Sequence, residues 1–215
     1  MTSLTSHVYV DQRDNADITP YENERLSLVD ENLSHMPYNV VDSYGILLKI
    51  LDLTRNKFKN LDFLSEFPNL TSLILDRNEL DSETILPHLP NLQLLWLNYN
   101  KVDELFPFIR NLQRSCPNLR FLSMMGNPAA PSYLNGGTVY EHLQYRLFVI
   151  SWFPHLIHMD DRYVTIHEKK EANRLFCRPF LERLAMRGGV FDTISSVLLA
   201  IERYFHRGHN RSTVI

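Results

Sequence analysis

Leu48-Lys49-Ile50-Leu51-Asp52-Leu53-Thr54-Arg55-Asn56, Leu70-Thr71-Ser72-Leu73-Ile74-Leu75-Asp76-Arg77-Asn78, Leu92-Gln93-Leu94-Leu95-Trp96-Leu97-Asn98-Tyr99-Asn100 and Leu119-Arg120-Phe121-Leu122-Ser123-Met124-Met125-Gly126-Asn127 are four copies of one phrase, Leu-x-x-Leu-x-Leu-x-x-Asn, with Met124 standing for the last leucine of the fourth. Their asparagines lie 22, 22 and 27 residues apart. A unit this short cannot cover its own apolar face, so the copies must stack, each leucine row being buried by the next. Stacking produces a solenoid with a broad concave sheet. That shape suits a binding surface better than a reaction vessel.

Within each copy the leucines alternate with other residues, the period-two signature of a short strand. Leu51/Leu53, Leu73/Leu75, Leu95/Leu97 and Leu122/Met124 should point into the core. Asn56, Asn78, Asn100 and Asn127 should form a ladder, their amides satisfying buried backbone groups at the bend after each strand. A degenerate first repeat, Leu26-x-Leu28-x-x-Glu31, precedes them, as expected where one side has no neighbour. The convex side is expected from Leu61/Leu64/Phe67, Leu86/Leu89 and Phe106/Ile109/Leu112 at helical spacing, with the longest helix in the 27-residue repeat. Pro68, Pro90, Pro117 and Pro154 should end the convex segments and release the chain toward the next strand.

The fold class is therefore α/β: a leucine-rich-repeat solenoid with short parallel strands on the concave face and a helical C-terminal cap. Residues 1–20 read as a flexible tail and 21–165 as the solenoid with its cap. For the cap, residues 139–152 predict a helix with Tyr140, Leu143, Leu147, Phe148 and Ile150 facing inward, and Phe153 to Asp160 predicts a last strand. Thr165-x-x-Glu168 is a capping box that opens a polar helix over 166–187, broken by Gly188-Gly189. Residues 190–215 form an amphipathic helix and tail, with Phe191, Ile194, Leu198, Ile201 and Phe205 on one face as a second interface. That face could pack on the cap, dock in a partner's groove or lie on a membrane surface; all three stay open.

Residues between the core leucines line up in columns on the concave face. Ile50, Ser72, Leu94 and Phe121 form one; Ser27, Asp52, Ile74, Trp96 and Ser123 the next; Val29, Thr54, Asp76, Asn98 and Met125 a third; Arg55, Arg77 and Tyr99 the last. Ile74, Leu94, Trp96, Phe121 and Met125 would make an apolar patch rimmed by Asp52, Asp76, Arg77 and Asn98, the anatomy of a protein interface. Trp96 and Tyr99 lead as hot spots. The competing expectation is that the N-terminal tail or the C-terminal helix folds back over this patch.

The formal net charge of −3 is unevenly spread: −8 over residues 1–161 and +5 over 162–215. Two cysteines, Cys116 and Cys177, cannot make a disulfide framework, which favours a reducing compartment. The first residues are a poor signal peptide, and no run of apolar residues is long enough to span a membrane. His155-x-x-His158 and His206-x-x-His209 lack the partners of a zinc pattern, Asp160-Asp161 fits a cap turn, and Cys116 reads as core. No phosphate-cradling glycine loop and no aromatic-basic RNA motif is present. The expectation is no enzyme, no metal, no cofactor and no direct nucleic-acid contact.

Tyr145-Arg146-x-x-Val149 followed by Phe153-Pro154-x-Leu156-x-x-Met159-Asp160-x-x-x-Val164-Thr165 resembles the C-terminal cap of the intracellular 22-residue class of leucine-rich repeats. That class includes a small spliceosomal subunit, acidic nuclear phosphoproteins and phosphatase regulators. Within it, Phe121 to Pro128, Tyr145-Arg146-x-Phe148-Val149 and Glu168-x-x-Glu171-Ala172 are similar to a subfamily associated with melanocyte differentiation. The resemblance implies a non-enzymatic cytoplasmic adaptor, monomeric alone, that works in pigment-organelle biogenesis and membrane trafficking with a Rab-type small GTPase. The class also admits a nuclear ribonucleoprotein subunit or a phosphatase-regulatory scaffold. The basic end, with Arg203, Arg207 and Arg211, departs from the acidic tails of the nuclear phosphoproteins.

Overall fold

Three-residue strands recur once per repeat because only Leu-x-Leu and its neighbours follow the sheet before the chain turns inward. The computed structural model describes residues 24–132 and 135–176. Strands β1 (Arg25–Ser27), β2 (Ile50–Asp52), β3 (Ser72–Ile74), β4 (Leu94–Trp96), β5 (Phe121–Ser123) and β6 (His158–Met159) are parallel in sequence order, and β7 (Arg162–Tyr163) closes the sheet antiparallel to β6. Leu26, Leu51, Leu73, Leu95, Leu122 and Met159 share one register row, and all are buried. The solenoid and the cap share one continuous core.

The asparagine ladder is present, rung for rung. Asn78 Nδ2 donates to the Leu53 and Leu75 carbonyls at 2.9 and 3.1 Å, and its Oδ1 accepts from Phe58 N–H at 3.1 Å. Asn56, Asn100 and Asn127 repeat the arrangement one repeat before and after. Each rung thus ties together two strand ends and the start of the convex segment between them. The residue before each rung is left-handed: Arg55, Arg77 and Tyr99 have φ of 58°, 55° and 55°, and Gly126 has 76°. That conformation costs an L-residue about 1–2 kcal/mol, and the buried amide bonds of the rung hold it in place.

A second ladder runs along the opposite rim. In each Pro-Asn-Leu triplet the asparagine amide reaches the previous repeat: Asn69 to the Ile46 carbonyl at 2.8 Å, Asn91 to Pro68 at 3.1 Å and Asn118 to Pro90 at 2.9 Å. Lys169 Nζ ends the series on the Pro154 carbonyl at 2.9 Å.

The convex side is less helical than expected. Leu61, Leu64 and Phe67 sit on and beside a 3₁₀ turn, Asp62–Glu66, and Leu86 and Leu89 are buried with no helix between them. A 22-residue unit has too few residues left for a full helix once strand and bends are made. The 27-residue unit has room, and α2 (Leu105–Ser115) fills it, burying Leu105, Phe108, Ile109 and Leu112. A short helix that the periodicity did not indicate, α1 (Tyr38–Tyr44), crosses behind the first repeat.

The cap corrects one expectation. Helix α3 (Val139–Trp152) has the expected bounds, but Tyr140 and Leu143 face outward, while every residue from Gln144 to Ile150 is buried. The helix lies between α2 and α4, so its middle has no solvent side. Helix α4 (Ile166–Leu175) opens on the capping box, with Thr165 Oγ1 accepting from Glu168 N–H, and residues 177–187 of the expected helix lie outside the described residues. The Phe176 ring packs edge-on against Phe148, with ring centroids 5.4 Å apart. Residues 177–215, which include Cys177 and the second interface Phe191, Ile194, Leu198, Ile201 and Phe205, lie outside the described residues.

Arg146 holds the cap together. Its side chain is fully buried; Nε donates to Glu168 at 2.7 Å, Nη1 to the Met159 carbonyl at 2.8 Å and Nη2 to the Tyr163 carbonyl at 2.9 Å. Burial alone would raise the Glu168 carboxyl. The Arg146 guanidinium and the Thr165 N–H and hydroxyl outweigh it and hold the group at about 2. A folded value below the unfolded one stabilises fully above the ordinary carboxylate range, and the benefit is lost as pH falls from about 4.5 toward 2. Asp160 has the opposite sign: burial raises its carboxyl, so acid relieves it. The Glu168 part is therefore isolated by difference. Urea midpoints measured from neutral pH down to acid should fall more steeply for the native chain than for Glu168→Gln; parallel curves would remove Glu168 from the account.

Candidate protein-binding face

Strand register brings the concave columns together as the sequence implies and lengthens one of them. Ile50, Ser72, Leu94 and Phe121 are in line, and His158 and then Tyr163 continue the row onto the cap. The His158 and Tyr163 rings meet edge-on with centroids 5.0 Å apart, and Tyr163 is 71% exposed. Asp52, Ile74, Trp96 and Ser123 form the parallel row, in which Trp96 is 41% exposed. Met125 is also exposed, while Ile50, Ile74, Leu94 and Phe121 are half-buried beside them. The face is thus divided. Arg25, Ser27, Asp52, Thr54 and Ser72 make its first half mainly polar around Val29, Ile50 and Ile74, and the aromatic side chains gather over β4 to β7.

Sequence reasoning missed His158 and Tyr163. The signal was there: Leu156-x-His158-Met159 repeats the spacing of Leu119-x-Phe121-Leu122, which places His158 beside Phe121. Tyr163 was not legible, because it depends on the chain reversing after Asp160, whose φ is 54°.

Asn98 is not a rim residue. It is only 7% exposed and forms the floor. Its N–H and Nδ2 donate to the two oxygens of Asp76 at 2.8 and 3.1 Å, and its Oδ1 accepts from Ser123 Oγ at 2.7 Å and Met125 N–H at 2.8 Å. A column position read as outward-facing instead stitches three repeats together. Burial raises the Asp76 carboxyl, helped by the nearby Asp52 charge and opposed by the Asn98 bonds and by Arg77. Asp52 turns back onto its own strand end, accepting from Thr54 Oγ1 at 2.7 Å.

Arg77 and Tyr99 sit at the left-handed bends, at the edge of the face. The Arg77 guanidinium lies 4.3 Å from the centre of the Tyr99 ring, a cation–π pair. The other neighbour of that ring is Gly126, where an added Cβ would come within 2.5 Å of Tyr99 Cδ1. Tyr99 is therefore half engaged by its own chain, although it is the more exposed of the two, at 49% against 41% for Trp96.

Between Trp96, Leu94, Phe121, Met125 and His158 lies a shallow cavity of about 360 Å³, with Asp76, Asn98, Ser123 and Asp160 beneath. Cys116 is buried elsewhere, its thiol pushed up to about 12 by burial, and it is packed as core. Among the described residues no cluster of histidine, cysteine and carboxylates could hold a metal, and no helix is long and apolar enough to cross a membrane.

No family model matches the chain. In sequence it is 38% identical over 129 residues to the human leucine-rich melanocyte differentiation-associated protein, a match that covers 58% of this chain and 65%, just under two thirds, of that protein. In structure it is similar to a chain of the Drosophila melanogaster SNF/U2A′ complex, with a TM-score of 0.54 and 21% identity, over 75% of this chain and 86% of that one. At that identity the likeness is one of fold. The strand order, the asparagine ladder and these similarities agree on the fold: the chain is a leucine-rich-repeat solenoid with a helical C-terminal cap, similar in sequence to leucine-rich melanocyte differentiation-associated protein.

Proposed function

We propose that the chain is a non-enzymatic adaptor that captures a protein partner on the second half of its concave face. The supporting observation is the exposed apolar run of Trp96, Met125 and Tyr163, continuous with Leu94, Phe121 and His158. An apolar centre of this kind on a folded surface is a binding site rather than a neutral decoration. We propose membrane trafficking in the cytoplasm as its setting, with a Rab-type small GTPase as the leading partner, as the subfamily resemblance in the sequence implies.

The test is affinity purification from native lysate, comparing the native chain with Trp96→Arg. Trp96 lies on the surface, so folding stability should change by only about 0.5 kcal/mol, whereas losing a central tryptophan should weaken a partner by about 2 kcal/mol or more. Specific proteins, a small GTPase among them, should disappear with the variant and survive ribonuclease treatment. An unchanged partner set from an equally folded variant would rule out this face.

A further inference from the structure

The cavity between Trp96 and Phe121 has apolar walls but an acceptor floor. The floor's donors are already used: Asn98 N–H and amide on Asp76, and Ser123 hydroxyl and Met125 N–H on Asn98 Oδ1. One of its carboxylates, Asp76, is not. A carboxylate accepts about four hydrogen bonds; Asp76 takes the two from Asn98. Asp160 is nearly buried, accepts from Met124 N–H at 2.9 Å and faces the Tyr145 hydroxyl and the Arg146 charge, so Asp76 is the open acceptor. Among the described residues neither forms an ion pair with a lysine or arginine. The guanidinium whose charge reaches Asp76, that of Arg77, is laid over Tyr99 instead.

An occupant must match both parts. A purely apolar segment would cover Asp76 and leave its remaining acceptors without water, which is costly. An acidic one would bring like charges together in a half-buried site. A cation can meet Asp76 and lie against the indole face of Trp96, as Arg77 does on Tyr99 two columns away. Its apolar neighbours would then rest on Met125, Leu94 and Tyr163. We propose that this cavity receives one basic side chain, arginine or lysine, from an otherwise apolar segment of the partner. The inference rests on the concave face being the binding face.

The experiment pans a displayed library of short random peptides on the full chain, with Trp96→Arg as counter-selection, and measures synthetic versions of the recovered peptides by fluorescence anisotropy. The expected peptides share an arginine or lysine between apolar residues. Changing that residue to citrulline or norleucine should weaken binding by about tenfold or more, and Asp76→Asn should do the same. The peptide substitutions leave the protein untouched, so the result does not depend on how Asp76→Asn folds. Trp96-dependent peptides that lack a basic residue, or that bind equally well with citrulline, would overturn the cation pocket and leave the binding face standing. Peptides indifferent to Trp96→Arg, or no recovery at all, would take down both.

Discussion

Arg146→Ala should unfold the cap. One partner of a buried, multiply bonded ion pair is removed, an event that costs about 3–5 kcal/mol. The loss is not only of charge. Glu168 keeps its Thr165 bonds and the exposed Arg162 at 3.9 Å but loses its buried, hydrogen-bonded counter-ion, and the Met159 and Tyr163 carbonyls lose their donors inside a packed cap. Arg146→Lys should not rescue, because one ammonium cannot span a carboxylate and two carbonyls in the geometry of a guanidinium fork. In a solenoid each unit rests mainly on its neighbours. Hydrogen exchange should therefore quicken in α3, α4, β6 and β7, then in β5, whose Leu122 and Met124 would lose their cover, while β2 and β3 stay protected. A small shift in the urea midpoint, or a loss spread evenly over the chain, would show that Arg146 is not what secures the cap.

The same effect would disturb the proposed binding face, because His158 and Tyr163 reach it only through the cap. That explains what was legible in the sequence and what was not. Strand positions, core leucines, the inner asparagine ladder and most of the concave columns follow from local spacing, since each repeat makes the same bonds to the next. The outer ladder was equally periodic in Pro68-Asn69, Pro90-Asn91 and Pro117-Asn118, yet these asparagines resemble ordinary loop residues until the neighbouring carbonyl is seen. Where a residue's surroundings come from several elements at once, spacing misleads. Asn98 stands in an exposed column but is drawn down by Asp76 on one side and Ser123 on the other. The inward face of α3 could not be read from periodicity because its middle is covered on every side. Arg146, charged and in a helix, gives no local hint that its partners lie 13 to 22 residues further along the chain.

Asn100→Ala should be the most damaging change in the repeats themselves. The asparagine serves three backbone groups: the Leu75 and Leu97 carbonyls at 3.0 and 2.9 Å and the Leu80 N–H at 3.2 Å. All three are buried between leucine rows, where an unsatisfied group costs about 1–3 kcal/mol. Alanine restores none of these bonds, and the cavity is polar, so collapse of the apolar neighbours cannot repay the loss. It also releases the left-handed bend at Tyr99, and with it the ring that covers Gly126. We expect a loss of about 3–5 kcal/mol, since the three terms share one site and do not add fully. Asn56→Ala provides the comparison. Its rung bonds the Leu33 N–H in a half-buried position at the start of the solenoid, where water can replace part of what is lost and fewer units depend on it. Denaturant unfolding should rank Asn100→Ala well below Asn56→Ala in stability. If both variants lost the same amount, the ladder would be a set of independent local caps, and the idea that its rungs bind neighbouring repeats into one cooperative body would be wrong.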